Sequence, residues 1–171
     1  EDVLQTFEGM MRHLFLEVKG VDIGTLPRIT YAEAMSRYGN DKPDIRFDMP
    51  INDMATVVRG KGFKVFDDAE LVVAICAKGA ASYTRKQIDE LTEFVKRPQI
   101  GATGLVYARW NDEARPNDVQ SGAGLKSSVD KFYNEEELKK WMSACGAEKG
   151  DLILILAGGK DKTRKAMSEL R

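Results

Sequence analysis

One proline constrains this chain more than any other residue. Pro43 keeps Lys42 out of the α region, so Asp41-Lys42-Pro43-Asp44 must form a turn or an extended crossing. Just upstream, Thr30-Tyr31-Ala32-Glu33 has the spacing of a capping box, in which hydroxyl and carboxylate satisfy each other's orphan N–H groups. Gly39-Asn40 closes the helix that this box opens, since both residues tolerate left-handed backbone. Arg28 to Phe47 therefore reads as a short strand, a capped helix and a polar elbow. Asp41, Lys42, Pro43, Asp44 and Arg46 form the structural joint, with one long helical pattern before it and a small α+β domain after it.

Upstream, Val3, Phe7, Met10, Leu14 and Val18 recur at helical spacing, an apolar stripe of about four turns ended by Gly20. His13 is the only histidine, and with no carboxylate or second nitrogen ligand nearby it reads as structural. Leu26 to Ile29 is an extended lead into the joint. Downstream, Asn52 to Arg59 suggests a short helix, and Lys61 to Phe66 with Leu71 to Ala77 suggests a hairpin across a polar turn. Thr84 and Gln87 have capping-box spacing and open a helix to about Lys96, which Pro98 cannot continue. Gly104 to Asn111 and Leu125 to Phe132 read as strands on either side of a long polar loop. Asn134 with Glu137 opens another helix. Leu152 to Leu156 is the most continuously apolar strand, and Asp161 is placed to cap a last helix, Lys162 to Leu170.

The order is strand-strand-helix twice, then a strand and a helix. Hairpins joined through helices predict an antiparallel sheet with helices on one face, a two-layer α+β sandwich. At 171 residues and 43% apolar, the chain can bury one proper core with a smaller lobe attached. Its formal net charge of −1 lacks the basic excess of a free-standing nucleic-acid binder. It shows no signal peptide and no apolar run of transmembrane length. Cys76 and Cys145 fall in no metal-ligand spacing and read as two buried thiols of a reducing, cytoplasmic protein rather than a disulfide.

Few residues suggest chemistry. Ser121 to Ser127 looks like a phosphate loop but fails the G-x-x-x-x-G-K-[ST] spacing and leads into a strand. Leu156-Ala157-Gly158-Gly159-Lys160 has the strand-to-helix context of an anion site without the full glycine pattern. Asp41, Asp44 and Asp48 match no calcium or zinc spacing and suit turn backbone or pairing with Lys42 and Arg46. No nucleophile, base and orienting group occur together. Two basic clusters remain as nucleic-acid contact candidates. Lys160, Lys162, Arg164 and Lys165, with Arg171 beyond, outnumber Asp161 and Glu169; Arg85 and Lys86 lie near Tyr83 at a helix start. The ordinary alternative for both is a solvated helix face.

The stretch RITYAEAMSRYGNDKPDIRF closely resembles the segment after motif 2 of bacterial-type aspartyl-tRNA synthetases, usually written with TYAEAM and RYGSDKPD. The likeness runs back through EGMMRHLFLEVKGVDIG and forward through GFKVF, SYTRKQIDELTEFVK, GLVYARWN, KFYNEEEL and GDLILILAGG, nearly the whole chain in order. The second half resembles the GAD domain that these synthetases share with a tRNA-dependent amidotransferase subunit. The resemblance implies residues 1–46 as a segment of a class II catalytic domain and 47–171 as the inserted GAD-type domain with a β2-α-β2-α plan. It implies a homodimeric parent enzyme that activates aspartate with ATP and Mg2+ and esterifies tRNA. The arginine loop of motif 2 and the glycine-rich motif 3 are not in this chain, so no catalytic, cofactor-binding or metal residue carries over and the isolated chain is expected to be inactive. The implied partners are the rest of the catalytic domain and the tRNA acceptor arm, which the insertion helps to position. The alternative is a protein-docking scaffold that never meets tRNA. Three positions depart from the family pattern: Lys78-Gly79-Ala80-Ala81-Ser82 stands for a Gly-Gly-Ala-Ser run, Asn40 for serine, and Arg109-Trp110 for a small apolar residue and lysine.

Overall fold

The computed structural model of the chain describes residues 2–111 and 124–171. The polar loop from 112 and the first three residues of the Ser121 to Ser127 stretch lie outside the described residues. The chain divides into two compact units, Glu1–Thr30 and Tyr31–Arg171. Residues 31–46 thus pack with the domain that follows them.

The first unit is one helix and a returning loop. α1 (Asp2–Lys19) has no buried residue, and Val3, Phe7, Met10, Leu14 and Val18 are all exposed. Gly20, at φ +65°, turns the chain out of the helix; its N–H donates to Leu16 O and that of Val21 to Phe15 O. Glu8 holds the loop against the helix by accepting from the Leu26 N–H and the Arg28 guanidinium. His13 lies on the helix surface.

The second unit contains α2 (Tyr31–Tyr38), β1 (Asn52–Asp53), α3 (Ala55–Val58), α4 (Lys64–Asp67), β2 (Leu71–Ala77), α5 (Arg85–Lys96), β3 (Val106–Asn111), β4 (Gly124–Ser127), α6 (Glu135–Ala144), β5 (Leu152–Gly158) and α7 (Lys160–Leu170). The strands form one sheet in the order β1-β2-β5-β3-β4, antiparallel at every pairing. Its centre is the pairing of β2 with β5, from Leu71 opposite Gly158 to Ala77 opposite Leu152. The α+β class with an antiparallel sheet is as expected.

The layering is not. Val72, Ala74 and Cys76 of β2 and Ile153 and Ile155 of β5 face a core with Met54, Val58, Phe66, Leu138, Trp141 and Met142. Leu71, Val73, Ile75, Leu152, Leu154 and Leu156 face a second core with Ile88, Val95, Ala166 and Met167. Helices therefore cover both faces, α3, α4 and α6 on one and α5 and α7 on the other, so there are three layers. The physical reason lies in the two central strands, whose unbroken apolar runs have no solvent face to offer.

Other expected elements differ in extent. Lys61 to Phe66 is not a strand. Gly60 and Gly62 adopt left-handed φ, their N–H groups donate to the Asp67 carboxylate, and Phe63 and Phe66 meet edge-to-face at 4.9 Å three residues apart. That spacing is a helical turn, and the strand beside β2 is instead the two-residue β1, Asn52 opposite Ala74. The helix expected over 52–59 shrinks to α3. β4 stops at Ser127, because Asp130 Oδ1 accepts the Ser127 N–H and bends the chain into a turn. Both capping boxes beyond the joint form: Thr84 with Gln87 on α5, and Asn134 with Glu137 on α6. Cys76 and Cys145 are free and buried; burial pushes their thiols up to about 11 and about 12.

Candidate nucleic-acid interface

The joint begins where α2 ends. Tyr38 is buried and Gly39 reverses the chain at φ +69°. Asn40 Oδ1 accepts the Lys42 N–H at 2.9 Å, and Asp44 Oδ1 accepts the Arg46 N–H at 3.0 Å, two successive side-chain-to-backbone turns around Pro43. The Asp44 carboxylate also pairs with the Arg46 guanidinium, whose hydrogen bonds hold it well below the usual carboxylate range. Asp41 and Lys42 are exposed, and Pro43 is half-buried.

The end of α7 closes onto this joint. The Arg171 guanidinium lies over the rings of Tyr38 at 4.6 Å and Phe47 at 4.3 Å. It donates to the carbonyls of Met49 at 2.7 Å and Asp44 at 2.8 Å. Arg171 is therefore a clamp rather than part of an open basic face. The cation-over-two-rings arrangement has no local signature, because its partners lie more than a hundred residues upstream.

The other cations of α7 are open. Lys160, Lys162 and Lys165 are exposed, Arg164 is half-buried, and none of the four forms an ion pair among the described residues. Asp161 sits in the first turn and does not cap the helix; Gly159 is the N-cap residue, with no side-chain bond of its own. The Lys160 N–H is taken instead by Glu70 Oε2 at 2.9 Å. That carboxylate occupies the position an anion would take, so the Gly158-Gly159-Lys160 turn offers no free anion site there.

α5 presents the second pair of candidates differently. Arg85 and Lys86 occupy its first turn, exposed, and face Asp89 and Glu90 one turn on, each at 3.9 Å. Such exposed pairs contribute little to stability, but the neighbouring carboxylates offset the positive charge that a phosphate would meet. α5 and α7 are neighbours on the same face of the sheet, so the two candidate clusters share one side of the domain.

Among the described residues no group of three or more His, Cys, Asp or Glu is placed to hold a metal ion, and no helix is long and apolar enough to cross a membrane. The buried Asp151, which sequence reasoning passed over, is a structural hub. It accepts from the N–H groups of Gly79 and Glu148 at 2.9 and 2.8 Å and from Lys78 Nζ at 2.9 Å. The departure at Lys78 thus supplies an ammonium that ties the turn after β2 to the turn before β5.

The profile of the GAD domain family matches residues 64–167. Over its whole length the chain is similar to aspartate–tRNA ligases. It is 52% identical to that of Azobacteroides pseudotrichonymphae over 171 residues, 53% to that of Phocaeicola vulgatus over 173, and 54% to that of Porphyromonas gingivalis over 173. In each case the chain spans 28% of the relative's length.

Proposed function

The chain belongs to the GAD domain family, and from that premise we propose that it is a non-catalytic part of an aspartate–tRNA ligase whose α7 surface helps position the tRNA acceptor arm. The parent is a cytoplasmic homodimer that aminoacylates tRNA with aspartate, using ATP and Mg2+. This chain assigns no residue to ATP, metal or aspartate, and is inactive alone. The observation that carries the RNA assignment is the set of open cations on α7, presented by a helix that Arg171 fixes to the joint. Cations without acid partners neutralise phosphates at no cost in broken ion pairs, and they position a backbone rather than read its bases.

The test is binding of the purified chain to an aspartate tRNA transcript across a salt series, beside a variant with Lys160, Lys162, Arg164 and Lys165 changed to Ala. The expected result is affinity that falls steeply with salt and a slope reduced in the variant by up to about 3–4, roughly 0.9 per lost contact. An unchanged slope overturns the α7 assignment.

A second reading, docking on protein without RNA contact, is favoured by α1. Its exposed apolar stripe suits packing against the part of the relatives that this chain does not span. The two readings exclude each other at the RNA, and the salt series separates them. Docking through α1 alone predicts no salt-dependent tRNA binding.

A further inference from the structure

α7 faces two ways. Toward solvent it presents Lys160, Lys162, Arg164 and Lys165, and toward the joint it touches α2 and the elbow at two points about two turns apart. At the first, the Arg164 main chain lies so close to Gly39 that no Cβ fits between them. At the second, the Arg171 guanidinium covers Tyr38 and Phe47. The sheet side of the helix is fixed separately, by the buried Thr163, Ala166 and Met167. The elbow has less to hold it, since residues 40–49 are all exposed or half-buried. Its own turns are local, from Asn40 to Lys42 and from Asp44 to Arg46. Among the described residues, every long-range hydrogen bond to residues 40–49 comes from Arg171, which donates to the carbonyls of Asp44, Phe47 and Met49. A segment held by so few contacts opens at low cost, and its order depends on α7.

We infer that the elbow and the RNA-contact face of α7 are coupled: RNA held on α7 orders residues 40–49, and an ordered elbow tightens the binding of RNA. The inference rests on the α7 reading proposed above and adds a regulated joint to it. Opening the elbow loses the Arg171 clamp and the Gly39 seat together. Arg164 is the half-buried one of the four cations, and its main chain is the part of α7 that rests on that seat. A guanidinium already held in place loses less freedom on meeting a phosphate than one that must first be ordered. RNA therefore binds the closed joint better than the open one, which is the differential affinity that any shift between two states requires. The effect is reciprocal, because the factor by which RNA favours the closed joint is the factor by which closure favours RNA. Occupancy of α7 is thus displayed on the exposed surface of the joint, at Asp41, Lys42, Ile45 and Arg46.

The test pairs hydrogen exchange with binding, on the intact chain and with the aspartate tRNA transcript at low salt as probe. Saturating tRNA is expected to slow exchange of the amides in residues 40–49 about tenfold, while those at the centre of β2 and β5 stay as they are. Phe47→Leu removes a ring from beneath Arg171 without changing any charge, and lies across the joint from the cations. It is expected to weaken tRNA binding about three- to tenfold with an unchanged salt slope, and Arg171→Ala by at least as much. Arg171→Lys should recover part of the loss. If tRNA binds but exchange in residues 40–49 does not change, and Phe47→Leu binds within twofold of the unaltered chain, the coupling is overturned and the α7 assignment stands. A shallower salt slope in Arg171→Ala, with full binding by Phe47→Leu, makes Arg171 a direct phosphate contact and also overturns the coupling. Full tRNA binding after Lys160, Lys162, Arg164 and Lys165 are changed to Ala removes the α7 assignment and the coupling with it. No tRNA binding by the unaltered chain overturns both.

Discussion

Gly39 at the end of α2 and Arg164 in the middle of α7 touch main chain to main chain. A Cβ at position 39 would run into the Arg164 carbonyl group, and φ there is +69°. Two demands meet in one residue: only glycine adopts this backbone without strain, and only glycine lets the two helices close to this separation.

Gly39→Ala is therefore expected to cost about 2–4 kcal/mol, combining left-handed strain with the displacement of α7. Urea titration followed by circular dichroism checks it. A loss below 1 kcal/mol would mean that α2 does not rest on α7 in solution.

Arg171→Ala should loosen the same contact from the other side. It removes a cation from over two rings and two carbonyl-directed hydrogen bonds shorter than 3 Å, for an expected loss of about 1–3 kcal/mol. Arg171→Lys should recover less than half of this, because an ammonium cannot stack on Tyr38 and Phe47 while forking to two carbonyls. Hydrogen exchange gives the local readout. Amides of residues 40–49 should exchange faster in the alanine variant, while those of β2 and β5 keep their protection.

Asp151 makes stability depend on pH in the acid range. Burial pushes its carboxyl up, but the N–H groups of Glu148 and Gly79 and the Lys78 ammonium outweigh that and hold its pKa below the ordinary value. A depressed folded-state pKa contributes stability that is complete above the unfolded-state value, about 3.9, and is lost as pH falls through the folded one. Chemical denaturation at pH 6 and pH 3 should show the loss. Asp151→Asn should lower stability at pH 6 by about 2–3 kcal/mol and flatten the difference between the two pH values. An equal pH dependence in both proteins would remove Asp151 from this role.

How far the sequence disclosed these features depends on the distance between partners. The boxes at Thr84/Gln87 and Asn134/Glu137 are three-residue relationships, and both helices start where those residues place them. Phe63 and Phe66 carried a helical spacing, but Gly62 and the β-branched Val65 around them matched a strand as well. Only the Asp67 bonds to Gly60 and Gly62 settle the turn. The second core was present in the unbroken runs of β2 and β5, since a strand with one wet face alternates. That Arg109 stands opposite Lys126 in the sheet could not be read at all without the register across a loop outside the described residues. The candidate cations of α7 and α5 look alike in sequence. They separate only in the structure, where Asp89 and Glu90 pair with Arg85 and Lys86, whereas Asp161 and Glu169, one turn to either side of Lys165, form no ion pair with it among the described residues.

Glu70 shows how a distant carboxylate can replace a missing local cap. Gly159 brings no side chain to the first turn of α7, and Glu70, on the turn before β2, supplies the acceptor for the Lys160 N–H. The Arg59 guanidinium holds that turn by donating to the carbonyls of Ala69 and Glu70. Glu70→Ala should cost about 1–2 kcal/mol as a lost N-cap, and Glu70→Gln less than about 1, since the amide oxygen still accepts but the charge at the positive end of the helix is gone. The alanine variant also vacates a position that suits an oxyanion. Sulfate should therefore stabilise Glu70→Ala more than it stabilises the unaltered chain, whose own carboxylate excludes it. Thermal melts in sodium sulfate and in sodium chloride at matched ionic strength separate this from screening and general salting-out. Equal sulfate gains in both proteins would mean that the helix end is not where the anion binds, and that Glu70 acts only by holding the turn.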